Sequence, residues 1–254
     1  MKKTISMLLC CAMLGTLCAC QHGGDYEKRT YVPQFDMTVS YGFEDEELKS
    51  DDGTTYYRQS LGTATVSSKD ERAAERINSS LAELYVKFGA DAEYTQRVAE
   101  DQTDGEQIAL SYYCAPSVTR CDTRVLSAVF DVSQDIGGIH ADSTRTSRSY
   151  NADNGSLLTL ADIAKNEEQL KTFIKNYVIG LAAGDDYKEG GVSILFDDFE
   201  STINDLVDAG ANWYFSDGGL VFYANPYDIA PYSRGVLLFE IPYSALEEFI
   251  DEGF

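Results

Sequence analysis

The segment IALSYYCAPSVTRCDTRVLSAVFDV, Ile108 to Val132, decides the fold class. It holds two strand-like runs, IALSYYCAP and RVLSAVFDV, rich in β-branched and aromatic residues and separated by a short polar link. Two such runs in succession, with no helix between them, read as an antiparallel pair rather than as part of a regular βαβ series. Upstream, QFDMTVSYGF and TTYYRQSLGTATV flank the turn signal DDG and form a second hairpin. Between the hairpins, Ser68 to Glu71 has the form of a capping box, and Ile77, Leu81, Leu84, Tyr85 and Phe88 follow at helical spacing.

Downstream, the alternating Ser/Thr/Arg run before Asp153-Asn154-Gly155 reads as a strand entering a tight turn. Asn166 to Ala182 carries Leu170, Phe173, Ile174, Tyr177, Val178 and Leu181 on one face of a helix that begins with acids. A shorter helix spans Asp197 to Asp208 and stops at Gly210. NWYF, LVFY and VLLFEI follow as strands. The expected fold is α+β: antiparallel sheet hairpins packed against two or three amphipathic helices.

Lys2 and Lys3, the apolar run ISMLLCCAMLG and the small-residue end Leu17-Cys18-Ala19-Cys20 have the order of an export signal. Leu-x-Ala-Cys further resembles a bacterial lipobox, which makes Cys20 the lipidated first residue of the mature chain; an ordinary secretory signal is the alternative. The expected organisation is a signal peptide over 1–19, a tether over 20–33, an N-terminal α+β part over 34–131 and a C-terminal one over 132–254. The later apolar runs are strand-sized, so lipid is the expected membrane anchor, on the extracytoplasmic side.

Loss of Lys2 and Lys3 with the signal takes the formal charge from −22 to −24. Such a charge repels nucleic acid and favours cationic partners, although acidity also serves solubility. Once the leader cysteines and Cys20 are set aside, Cys114 and Cys121 remain. In an exported chain that pair reads as a disulfide across a hairpin loop, with free thiols as the alternative. No CxxC or HExxH spacing calls for a metal, and no cofactor motif is present. NADNGS fails the calcium-loop template, because Gly155 falls one residue early and the twelfth position is not glutamate.

Catalysis has few candidates. His140 lies outside the tether, lacks a GxSxG partner and follows Gly137-Gly138-Ile139, where a local structural hydrogen bond is the plainer role. The pairs Asp185-Asp186 and Asp197-Asp198 could serve glycan cleavage, but acids near helix starts also answer the helix dipole. A different kind of site is suggested by NPYDIAPYSRG, Asn225 to Gly235, where Pro226 and Pro231 stiffen a loop bearing Tyr227 and Tyr232.

Gly137-Gly138 with His140, the region from Ser149-Tyr150-Asn151 to Leu160, and Gly219 to Phe222 form one set of motif parts. Asn225-Pro226-Tyr227, Ala230-Pro231-Tyr232 and Ile241-Pro242-Tyr243 complete it. Together they resemble an extracytoplasmic domain family of unknown function, found in the lysozyme-sensing anti-sigma factor RsiV and beside the catalytic domain of the peptidoglycan deacetylase PdaC. The resemblance runs from about Val125 to Leu246, and Phe35 to Asp131 is similar in pattern to the companion domain that precedes it. It implies an α+β fold and, from the anti-sigma relative, binding of lysozyme through loops that here contain Pro226, Tyr227, Pro231 and Tyr232. Neither a sigma-binding segment nor a deacetylase domain is evident. The expected function is therefore a binding module for lysozyme, another cationic protein or a cell-wall glycan, with a peptidoglycan-active enzyme or a structural envelope protein as alternatives.

Overall fold

The computed structural model describes residues 37–102 and 108–254; the signal, Cys20 and the tether lie outside them. The chain runs β1 (Met37–Lys49), β2 (Thr55–Ser68), α1 (Glu71–Glu100), β3 (Leu110–Cys121), β4 (Val125–Asp135) and β5 (Asp142–Asn151). It continues through α2 (Leu160–Ile163), α3 (Glu167–Ala182), the two-residue strands β6 (Lys188–Glu189) and β7 (Val192–Ser193), and α4 (Phe199–Ala209). β8 (Trp213–Phe215), β9 (Gly219–Ala224), β10 (Leu237–Pro242) and α5 (Tyr243–Leu246) complete it. The mixture is α+β, with a five-stranded sheet in the order β1-β2-β3-β4-β5 and a three-stranded sheet in the order β10-β9-β8.

Both expected hairpins form, as antiparallel β1/β2 and β3/β4. Between them the topology departs from the purely antiparallel reading, because β2 and β3 pair in parallel from Tyr57/Leu110 to Leu61/Cys114. Parallel neighbours need a long crossover, and α1 supplies it. This 30-residue helix starts at Asp70 rather than at the expected Ser68. The Asp70 carboxylate accepts from the backbone N–H groups of Arg72 and Ala73 at 3.0 and 3.2 Å, while the Ser68 hydroxyl accepts from Asp70 N–H, outside the helix. Ala74, Ile77, Leu81, Leu84 and Phe88 bury one stripe of α1 against Val66, Tyr112, Cys114, Leu126, Ala128, Phe130 and Tyr150.

β4 is covered on both sides. Leu126, Ala128 and Phe130 face α1, whereas Val125, Ser127 and Val129 face the three-stranded sheet. That sheet in turn packs Leu220, Phe222, Phe239 and Ile241 against Ile174 and Val178 of α3 and Ile203 and Val207 of α4. The order of layers is helix, sheet, sheet, helices, and the expected 131/132 boundary falls inside β4, the strand the two cores share. Gly155 shows how closely the layers approach: its φ is +72°, and a Cβ there would lie 2.3 Å from the carbonyl oxygen of Ala73 at the start of α1.

The cysteine expectation requires correction. β3 continues through both Cys114 and Cys121, and both are free thiols. With six extended residues between them they stand roughly 20 Å apart, whereas a disulfide needs Cα atoms within about 7 Å. Cys114 is instead a small core residue facing α1, and burial pushes its thiol up to about 12. Among the described residues no helix is long and apolar enough to cross a membrane.

Candidate functional site

The loop from Asn225 to Gly235 joins β9 to β10 and is built from its first residue outward. The Asn225 side chain bridges to β5, its carbonyl accepting from Arg145 N–H at 2.7 Å and its amide donating to Arg145 C=O at 3.3 Å. The amide thus replaces the strand that β5 lacks on that side. Arg145 is fixed in turn by a two-pronged ion pair with Asp131, at 2.7 and 2.8 Å. On the loop side, Asn225 N–H donates to the Asp228 carboxylate at 2.6 Å, and burial raises the Asp228 carboxyl above its usual range.

Pro226 and Tyr227 are the central residues of a tight turn closed by Asp228 N–H on Asn225 C=O at 3.0 Å. Pro at the second position and positive φ at the third are the marks of a type II turn, in which the third position favours glycine. Here it is tyrosine, with φ of 71°. The ring stays 58% exposed, and its hydroxyl meets His140 Nε2 at 3.0 Å.

His140 comes from the link between β4 and β5. Its Nδ1 lies 3.1 Å from the carbonyl oxygen of Ala141, which can only accept, so Nδ1 is a donor there, and its Nε2 is the nitrogen that meets the Tyr227 hydroxyl. Tyr232 stacks beneath the imidazole at 3.6 Å and 10° between planes. Its hydroxyl donates to Ala141 C=O and lies 3.2 Å from the Ser143 hydroxyl, which ties the far side of the loop to β5. The three rings form one cluster, Tyr227 and Tyr232 being 5.7 Å apart. The same β4–β5 link leaves Ile136 41% exposed and Ile139 fully exposed.

The structure therefore gathers His140, Pro226, Tyr227, Pro231 and Tyr232 at one edge of the five-stranded sheet, but it separates their roles. Tyr227 and Pro231 are exposed, while Tyr232 is half-buried and supports His140. The sequence offered both tyrosines as candidate contacts and left their direction open; one stands outward on a shelf made by the other. The local hydrogen bond expected of His140 is present, with a second bond to Tyr227. Asp185 pairs with Lys188 at 2.9 Å, and Asp186, Asp197 and Asp198 are exposed. No hydrogen bond joins any of these four carboxylates to the cluster among the described residues. Nor is there, among those residues, a group of three His, Cys, Asp or Glu placed to hold a metal.

Asn225 belongs to the loop and motif that the sequence singled out, but the bracing roles of Asp228, Arg145 and Ser143 were not anticipated. For Arg145 and Ser143 the signal lay in the polar alternation of STRTSRS, which presents hydroxyls and backbone to whatever covers β5. Other motif residues prove to be scaffold. The Tyr243 hydroxyl donates to Ser216 C=O at 2.8 Å and accepts from Arg120 at 2.6 Å, and burial pushes it up to about 12. Gly219 allows a crossing in which a Cβ would meet the Ile241 carbonyl oxygen at 2.0 Å.

These features define a layered α+β domain that presents a stiffened aromatic loop at a sheet edge. Residues 161–244, a stretch that includes the tyrosine loop, match the family described as Protein of unknown function (DUF3298). Two solved structures share the fold. One, a DUF3298-family member from Bacteroides fragilis, is 17% identical with a TM-score of 0.55, covering 85% of this chain and 94% of its own. The other, a DUF3298-family protein from Pseudomonas aeruginosa, is 15% identical with a TM-score of 0.54, covering 86% and 97%. No curated protein matches the chain.

Proposed function

We propose that this protein is a lipid-anchored extracytoplasmic binding module whose Tyr227/His140 surface receives a cationic, cell-wall-active protein, lysozyme being the first candidate. The observation that carries the reading is Tyr227: an exposed ring held in a backbone conformation that disfavours it, and locked to His140. Strain of this kind persists only where surrounding structure over-determines it, and it concentrates at ligand sites. A rigid tyrosine offers contact area at little entropic cost, and a chain of formal charge −22 steers a basic partner toward it. The resemblance of the motif-bearing segments to the domain of a lysozyme-sensing anti-sigma factor points the same way.

A wall-lysis assay tests this. Added protein is expected to slow lysis of bacterial walls by lysozyme, and Tyr227→Ala to abolish most of that inhibition. Undiminished lysis would refute the lysozyme reading. The second reading, a cell-wall glycan, is favoured by the open faces of Tyr227 and Ile139, and it predicts retention of the protein on purified walls without lysozyme. The anchor is tested separately: a fatty-acid label should enter the chain and be lost in Cys20→Ala.

A further inference from the structure

We propose that the outer edge of β1 is a second docking surface, which takes an extended, cationic polypeptide segment as a sixth strand of the main sheet. Every other long edge in the described structure is closed. Beyond Leu61, where β3 leaves β2, the hydroxyl of Tyr85 takes over the backbone groups of Ala64 at 2.6 and 2.9 Å, and the Asn78 amide those of Val66 at 2.9 and 2.8 Å. β8 is bound along its outer side by Thr119, Ser127 and Ser147. β5 is bridged by Leu157 and by Asn225. β10 has only six residues, and Tyr187 reaches its Leu238 carbonyl.

β1 is different. Its 13 residues flank the sheet, pair with β2 on one side, and have no strand partner on the other among the described residues. Every residue from Ser40 to Glu47 is exposed, no proline interrupts the strand, and the register shifts only at Leu48/Lys49. An edge of that length presents a row of unpaired backbone groups, which proteins usually shield. The side chains specify the occupant. Tyr41 and Phe43, two residues apart and so on one face, lean inward over β2, where the Tyr41 hydroxyl accepts from Val118 N–H of β3 at 3.1 Å and Phe43 lies over Gly62, yet at 47% and 57% exposed they leave an apolar shoulder beside the open edge. Glu44, Asp45, Glu46 and Glu47 follow without a break, and neither Glu44 nor Glu46 forms an ion pair among the described residues. Four contiguous acids oppose pairing with a second copy of the chain and select a basic strand.

β1 and β5 are opposite edges of the sheet, so this surface stands or falls independently of the tyrosine loop. The test uses the full chain and two nine-residue probes, one alternating Lys and Val and one alternating Glu and Val, with amide hydrogen exchange as the readout. The Lys/Val peptide is expected to slow exchange of alternate β1 amides between Ser40 and Glu47 at least tenfold, and the Glu/Val peptide to leave them unchanged. Exchange of the double variant Glu44→Lys, Glu46→Lys should respond to the Glu/Val peptide instead. Equal protection by both peptides, protection confined to other elements, or β1 amides already protected without a probe would overturn the proposal. The last result would mean that the chain's own remaining residues cover the edge.

Discussion

Tyr227 has a φ of 71° at a turn position that glycine fills without strain. Tyr227→Gly is therefore expected to leave the unfolding free energy unchanged or to raise it by up to about 1 kcal/mol, as denaturant titration would show. A clear loss of stability would mean that the ring serves packing rather than a partner. Tyr232 is the opposite case. Its hydroxyl is tied to Ala141 and Ser143, so Tyr232→Phe should cost about 1 kcal/mol while preserving the stack on His140. The loop's composition made both tyrosines candidates, but which ring would face outward was not legible. That choice depends on Asn225 and Asp228 closing the turn locally, and on β5 lying within reach of Asn225 and Tyr232, contacts that span 80 and 89 positions. At Cys114 and Cys121 the sequence pattern misled, because strand β3 outlasts its polar end. The peptide spanning 114–121 should have the same mass with and without reductant, and Cys114 should resist thiol reagents at pH 8 until the protein unfolds.

Among the elements, β8 depends most on groups outside its own sheet. Its three residues pair with β9 on one side. On the other, Ser147 donates to Trp213 C=O at 2.6 Å, Phe215 N–H donates to Ser127 at 3.0 Å, and Thr119 donates to Phe215 C=O at 2.7 Å. Hydroxyls from β3, β4 and β5 thereby fasten one sheet to the other. Ser147→Ala, which leaves a buried carbonyl without its donor, should cost about 1–3 kcal/mol. Half-buried Ser60→Ala, which loses only a solvent-exposed bond to Asp45, should cost far less, and both are measurable by the same titration. The strands and the long helices were readable because their periodicity is local: Leu170, Ile174 and Val178 mark α3 without reference to anything else. The parallel β2/β3 pairing was not, because nothing in TTYYRQSLGTATV distinguishes a neighbour on one side from a helix on the other. The Ser/Thr/Arg run of β5 read as a strand, but its polar composition did not disclose that Ser147 and Ser149 are buried against the second sheet.

For the molecule as a whole, buried phenols and a buried thiol set the alkaline limit. Burial holds Tyr57, Tyr85 and Tyr243 at about 12, against an ordinary value of 10.0, and Cys114 at about 12 against 9.0. The unfolded chain releases these protons first, so it binds fewer of them than the native state and gains stability as pH rises. The urea midpoint should therefore fall steadily between pH 9 and pH 12. The strong negative charge acts at a longer range, where it favours encounter with a basic partner and is screened by salt. The central claim, that the Tyr227/His140 surface is the contact, is tested most directly by calorimetric titration of lysozyme into the wild-type protein and into Tyr227→Gly at low and at physiological ionic strength. The account predicts binding by the wild type that weakens with salt, and binding at least tenfold weaker by the variant even though its fold is as stable. No heat from the wild type, or equal affinity in the two proteins, would contradict it.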